Sequence, residues 1–229
     1  MIKAKVICDS ISHSGVRLTT LELQYHRFVH SEMMTHRMFS RNASSSRAIP
    51  VDRMIKQVKE NPAMPIHWGK NQAGMQAREE LSEIEIDVVK SDWNYASKRM
   101  TEIATLMSEM DLHKQIVNRI LEPFQWIKVI VTATEWDNFF KLRLHKDAQP
   151  EMMVLAEHMK KAMDKSIPVE LQPGEWHLPY VRSDIQEDEL WEGLNTDCPV
   201  FNYEKALKCS AARCARISFL NHDNSTPNI

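Results

Sequence analysis

Apolar and polar positions alternate over residues 2–8 (IKAKVIC) and 17–25 (RLTTLELQY), where Leu18, Leu21 and Leu23 stand among polar neighbours. Side chains of a strand point alternately to its two faces, so both segments are expected to be half-buried strands. Phe28, Met33 and Met34 suggest a short helix over 27–37, and the serine-rich stretch 38–50, ending in Pro50, is expected to be a loop. Residues 51–59 (VDRMIKQVK) form a short amphipathic helix in this reading, followed by an irregular connection marked by Pro62, Pro65 and Gly69.

Residues 74–110 carry the strongest periodicity. Ala77, Leu81, Ile84 and Val88 recur at helical spacing, and after a one-residue shift so do Val89, Trp93, Ala96, Met100, Ile103, Met107 and Met110. The pattern predicts a long helix, or a pair of helices, with one apolar stripe. One small domain rarely buries so long a stripe alone, which favours helix packing between subunits. Residues 113–121 are expected to be helical up to Pro123, 124–133 (FQWIKVIVTA) a strand, 135–142 a short helix, and 150–165 a helix opened by Pro150. Pro173, Gly174, Pro179 and Pro199 mark 172–200 as loop-rich, 202–217 closes the fold as a helix, and the polar tail HDNSTPNI is expected to fray. The predicted class is α+β: one helix-dominated domain over 1–229 with a small, mostly antiparallel sheet.

Composition narrows the function. The 229 residues are 43% hydrophobic and 26% charged, with a net charge of -2, which excludes wholesale disorder and argues against a generic polyanion-coating protein while leaving a local basic patch open. No apolar run reaches the roughly 18 residues of a membrane span, and MIKAKVICDS lacks a secretory leader's apolar core. A cytoplasmic protein is expected. The five glycines, Gly15, Gly69, Gly74, Gly174 and Gly193, never cluster, so neither a dinucleotide-binding turn nor a P-loop is present. A phosphorylated ligand must then be held by Arg and Ser side chains or by helix N-termini. Cys8, Cys198, Cys209 and Cys214 form no paired zinc spacing, so no metal is expected and the thiols are read as reduced.

The chemistry concentrates in 35–47, THRMFSRNASSSR. Its guanidinium forks, hydroxyls and amide can all donate to oxyanions. The stretch resembles the signature of flavin-dependent thymidylate synthases, Arg-His-Arg-x-x-Ser-x-Asn-x-x-Ser-x-Arg-Tyr, matching at His36, Arg37, Ser40, Asn42, Ser45 and Arg47. It departs at Thr35 and Ala48, where the family has Arg and Tyr. The resemblance implies that His36, Arg37, Ser40 and Asn42 contact FAD and that Ser45 and Arg47 hold the phosphate of dUMP. RILEP (119–123) is similar to the family's Arg-x-x-Leu-Pro stretch, with Glu122 in place of Leu, which makes Arg119 a second nucleotide ligand. NFFKLRLHKDAQPE (138–151) resembles a further family run, which places Asn138 at the flavin and Arg143 at the pyrimidine ring. Asp147 stands where many members have His, and Ile116 where many have an acid.

SAARCARISF (210–219) resembles a segment that ordinary members carry before the signature, so the chain looks circularly permuted. The Pro-Phe-Glu-His stretch that follows that segment in the family does not follow it here. The implied reaction passes a one-carbon unit from methylenetetrahydrofolate to C5 of dUMP, with hydride from reduced FAD and NADPH as reductant. Arg143 and Ser45 are the candidate catalytic residues: a cation beside the ring stabilises developing negative charge, and the hydroxyl adds a neutral donor. Family members are homotetramers with sites built between subunits, so a homotetramer is expected.

Three other readings stay open. A related flavin- and folate-dependent enzyme could place hydroxymethyl on a pyrimidine nucleotide. Arg27, Arg37, Arg41, Arg47, Arg53 and Lys56, with Phe28 and Phe39, could track a nucleic-acid backbone, although the balanced charge makes nucleic acid a poor partner. A non-catalytic remnant would only oligomerise. Trp176 and Tyr180 are read as loop aromatics tucked against their own domain.

Overall fold

The computed structural model describes residues 1–181, 190–192 and 200–217. Strands β1 (Lys3–Ser12) and β2 (Arg17–His26) form a hairpin, then a 3-10 turn (Arg27–Val29) and α1 (His30–Met33) lead to β3 (Ser40–Ala43). Helices α2 (Val51–Glu60), α3 (Glu83–Glu109) and α4 (Lys114–Val117) follow, and a 3-10 segment (Asn118–Phe124) enters β4 (Trp126–Ala133). The chain continues through α5 (Asp137–Arg143), α6 (Pro150–Asp164), β5 (Val169–Leu171), β6 (Trp191–Glu192), β7 (Val200–Phe201) and α7 (Tyr203–Ala215).

Five strands make one mixed sheet in the order β3-β4-β2-β1-β5, antiparallel except where β5 joins β1. The register pairs Leu21 with Val131, Leu23 with Val129 and Tyr25 with Ile127, all buried. Met152, Leu155, Met159 and Met163 of α6 share that core with Phe39, Trp136 and Phe139. A second core joins Met54, Ile55 and Val58 of α2, Ala104 of α3, and Val117, Leu121 and Phe124, with Trp93, Ala96, Met100 and Met107 packed against it. The helix-rich α+β class expected from the pattern is therefore the observed one.

Three expectations change. The segment 38–50 is not all loop, because Ser40–Ala43 pairs with β4 at the sheet edge, Ser40 opposite Thr132 and Ala43 opposite Val129. An edge strand exposed on one face can be polar there, so hydropathy concealed it. The long helix starts at Glu83 rather than near 74, because Ser82 and Glu85 form a reciprocal capping box. Residues before it run extended, with Leu81 N–H donating to the Trp68 carbonyl at 2.9 Å. Ile84 and Val88 consequently face solvent, whereas Trp93, Ala96, Met100 and Met107 reach the core. The three-residue β5 gave no signal, being too short to show a period. Much of 172–200 and of the tail, with Gly193, Cys198, Pro199, Ser218 and Phe219, lies outside the described residues. Among the described residues no helix is long and apolar enough to cross a membrane.

Candidate active site

The turn between α1 and β3 is organised by Arg41. Its guanidinium donates to the carbonyls of Met34 (2.8 Å), His36 (2.7 Å) and Phe39 (3.0 Å). Arg41 therefore acts as a backbone brace, not as a free anion donor as its sequence neighbourhood suggested. The braced turn points the His36 ring toward α5, where Arg143 Nε donates to His36 Nε2 at 2.9 Å. Arg143 Nη1 pairs with the Glu32 carboxylate. Phe139 meets His36 edge-on at 4.8 Å, and Phe39 lies 5.7 Å from it. Burial, then the charges of Arg143 and Arg41, lower the His36 pKa to about 4. The imidazole is neutral at pH 7, and because Nε2 accepts, Nδ1 carries the proton.

Glu32 was not among the sequence candidates. It lies one helical turn before His36, and a carboxylate at that distance from a His-Arg pair is the signal that could have found it.

The serine run divides by burial. Ser44 and Ser46 are buried: Ser44 Oγ accepts from Lys128 N–H at 3.1 Å, and Ser46 Oγ donates to Glu122 at 3.0 Å. Ser45 is half-buried and Arg47 exposed, and both line a recess of ≈ 450 Å³ with Asn42, Ala43, Ala48, His113, Gln115 and Ala215. None of these side chains is a carboxylate, so the recess suits an anion. Asn118 holds the loop from beneath, its amide donating to the carbonyls of Ser46 (2.7 Å) and Ile49 (2.9 Å). Asn118→Ala strands two carbonyls in a buried place, which costs about 2 kcal/mol or more. A lowered urea midpoint together with weaker nucleotide binding is the expected result; an unchanged midpoint would show that water replaces the amide.

The other predicted residues fall elsewhere. Asn42 donates to the carbonyls of Cys214 (2.8 Å) and Ala215 (3.2 Å), tying β3 to the end of α7. Its amide is thus engaged within the chain. Ser40, Arg37 and Asn138 are exposed. Arg119 opens on a separate recess with Arg27, Phe28, His30, Ser31, Glu122 and Pro123, and lies 3.7 Å from Glu122. Glu122 also takes Arg27 at 3.0 Å. Within one chain the structure brings together Ser45 with Arg47, and His36 with Arg143, but it does not bring Arg119 into either group. Asp147 pairs with Arg78 at 3.5 Å, and Ile116 is half exposed.

A second, half-buried imidazole, His177, hydrogen-bonds Thr20 Oγ1 at 2.8 Å and Ser10 Oγ, and its partial burial lowers its pKa to about 4. Both His36 and His177 titrate below their ordinary value of 6.5. As pH falls, the unfolded chain takes up these protons first, so stability is intact above about pH 6.5 and declines toward pH 4. Urea midpoints across that window should drop, and His177→Gln should flatten part of the slope. A flat profile in the native protein would contradict the burial of both rings.

The fold and these recesses define a class: a helix-rich α+β domain whose cation- and hydroxyl-lined surfaces suit anionic ligands. The family described as thymidylate synthase complementing protein matches residues 16–169, and the chain belongs to that family. No curated protein matches the chain. Among solved structures it is similar to a UMP/dUMP methylase, PolB, from Streptomyces cacaoi. With 5-Br UMP bound, that structure shows a TM-score of 0.60 at 16% identity, covering 72% of this chain and 89% of the other. With 5-Br dUMP the TM-score is 0.58 at 16% identity, over 72% and 90%. Thymidylate Synthase X from Helicobacter pylori with FAD and dUMP gives 0.45 at 14% identity, over 64% and 67%. The PolB likeness establishes a shared fold.

Proposed function

We propose that the protein is a flavin-dependent thymidylate synthase, passing a one-carbon unit from methylenetetrahydrofolate to C5 of dUMP to give dTMP. FAD is the resident cofactor, NADPH its reductant, and the enzyme works in the cytoplasm as a homotetramer. The observation that carries the reading is the carboxylate-free recess in which the signature loop sets Ser45 beside Arg47. Family membership and the UMP/dUMP methylase named for the PolB fold support it.

The donor set fits FAD in chemistry. Exposed Arg37 suits a diphosphate, and exposed Asn138 and Ser40 suit ring edges and hydroxyls. When bound, the flavin supplies the hydride chemistry. The chain binds and polarises. Arg47 presents a bidentate fork to phosphate, and Ser45 adds a hydroxyl donor. Arg143 uses Nε on His36 and Nη1 on Glu32, which leaves Nη2 for the pyrimidine edge, where a cation stabilises the charge that makes C5 nucleophilic. Neutral His36 keeps that guanidinium oriented without adding a second positive charge. Arg119, opening on its own recess, suits a nucleotide held by a neighbouring subunit.

The nucleic-acid alternative is weakened. Of its six cations, Arg27 and Arg41 are engaged by Glu122 and by backbone carbonyls. The deciding experiment is a visible spectrum of the protein with FAD, titrated with dUMP and with UMP, followed by product mass. A flavin spectrum that responds to dUMP and a methylated product support the reading. A hydroxymethylated product transfers the assignment to the sister reaction, and absence of flavin binding in folded protein overturns both.

A further inference from the structure

The segment around Trp176 takes no part in the site described above, and the fold sets it over a cavity of its own. Trp176 is 55% exposed, not tucked against the domain as the sequence suggested. With Phe201 and Tyr203 it lines a cavity of ≈ 470 Å³ beside β1 and β5. That volume falls among small-molecule sites, which span roughly 300–1,000 Å³. The Phe201 and Tyr203 rings stand at 83° to each other with centroids 4.9 Å apart, so they form two perpendicular walls. Both pack against a small core of Leu178, Leu190 and Ala206, which holds them in place. Glu175 and Trp176 follow a tight turn closed by Glu175 N–H donating to the Gln172 carbonyl at 2.9 Å. Gly174 sits in that turn at φ 96°, a conformation glycine adopts without strain.

Charge names the ligand. Among the described residues the cavity has two carboxylates, Asp9 and Glu175, and no lysine or arginine. Arg17 takes both oxygens of Asp9, at 2.9 and 2.6 Å, so that charge is already matched. Glu175 instead accepts from Gln172 N–H at 2.8 Å and from the Tyr203 hydroxyl, and neither donor is a cation. Burial, and then that carboxylate, push the Tyr203 hydroxyl up. His177, which also lines the cavity, is neutral at pH 7 and brings no positive charge. The faces of the three aromatic rings carry the negative part of their quadrupoles.

An anion would be repelled here. A primary ammonium needs several oxygen acceptors to replace its water. A methylated ammonium needs few, because its methyl groups lie directly on ring faces while one carboxylate balances the charge. Ile167, Val169 and Leu178 in the same lining accommodate an apolar body. We propose that this cavity binds a small methylated ammonium compound, its head among Trp176, Phe201 and Tyr203 and beside Glu175. The site shares no lining residue with the Ser45–Arg47 recess, so it does not rest on the reaction proposed above.

The probes are choline and dimethylbutanol, in which carbon replaces the ammonium nitrogen, and the readout is the NMR signal of their methyl protons with the full chain. Choline should show a saturable upfield shift, because ring faces shield what lies on them. The uncharged isostere should bind about 10-fold more weakly or less well still. Trp176→Ala should weaken choline about 10-fold, with circular dichroism retained because the ring is exposed. Glu175→Gln should weaken choline about 3- to 5-fold and leave the isostere unchanged. Equal binding of the two probes by the native protein would make the cavity merely apolar and overturn the proposal. So would the lack of a saturable choline shift up to about 100 mM, or native choline affinity in Trp176→Ala. Adding dUMP or FAD should leave the choline shift in place, and competition by dUMP would make this an anion site and overturn the proposal. Flavin binding on the same samples reports separately on the active site, so the two readings fail independently.

Discussion

Arg143→Ala is expected to damage both the fold and the site. The guanidinium and its Glu32 partner are 17% and 25% exposed, so removing the cation leaves a carboxylate largely cut off from water. Breaking a fully buried pair costs about 3–5 kcal/mol; partial exposure here reduces that to about 2–3 kcal/mol by the same reasoning. The His36 ring loses its donor and a neighbouring positive charge, so its pKa should rise from about 4 toward 6.5. On the role proposed for Arg143, turnover should fall about 100-fold or more, the loss expected when a preorganised charge is removed from beside the substrate. Urea unfolding, a histidine NMR titration and steady-state rates read the three consequences apart. Arg143→Lys keeps the charge but cannot reach Glu32 and His36 together, so it should recover stability in part and activity hardly at all. Native stability and an unshifted His36 in Arg143→Ala would mean that the Glu32–Arg143–His36 contact is not formed in solution.

The second large effect is at Arg47. The side chain is exposed and lines the recess proposed for the nucleotide phosphate, so Arg47→Ala should leave the unfolding midpoint unchanged. A charge-assisted contact to phosphate contributes roughly 1.5–3 kcal/mol. Affinity for dUMP should therefore fall about 10- to 100-fold. Deoxyuridine, which lacks the phosphate, supplies the control: its weak binding should be equal in the native protein and the variant. An equal loss for both ligands would place Arg47 away from the phosphate, and no loss for dUMP would take the nucleotide out of this recess.

The two residues show what local sequence can carry. His36, Arg37, Ser40, Asn42, Ser45 and Arg47 were legible because a fixed spacing of donors within thirteen residues is read from the chain directly. Their assignments were less legible. Asn42 has the right chemistry for a ligand, yet α7, far along the chain, presents its terminal carbonyls to that amide. Arg41 looked like another anion donor until the turn folded its carbonyls around it. Glu122, a departure from the resembled pattern, gathers Arg27, Arg119 and Ser46 from separate segments. Each of these outcomes depends on which donor finds which acceptor across the fold, and no spacing rule encodes that.

Local pattern was enough to place the long helix, the three longest strands of the central sheet (β1, β2 and β4) and the stretch where chemistry concentrates. Periodicity and residue type are local properties, and burial on one face imprints them on the chain. Packing in three dimensions was needed to make Ser40–Ala43 an edge strand, to begin α3 after Ser82, and to turn Ile84 and Val88 outward. The same packing let Glu32 complete the Arg143–His36 contact and opened Arg119 on a different recess from Arg47. Hydrogen bonds and ion pairs between distant segments form only when packing has set the distances, so the same polar residue becomes a brace, a cap or a ligand according to its neighbours in space.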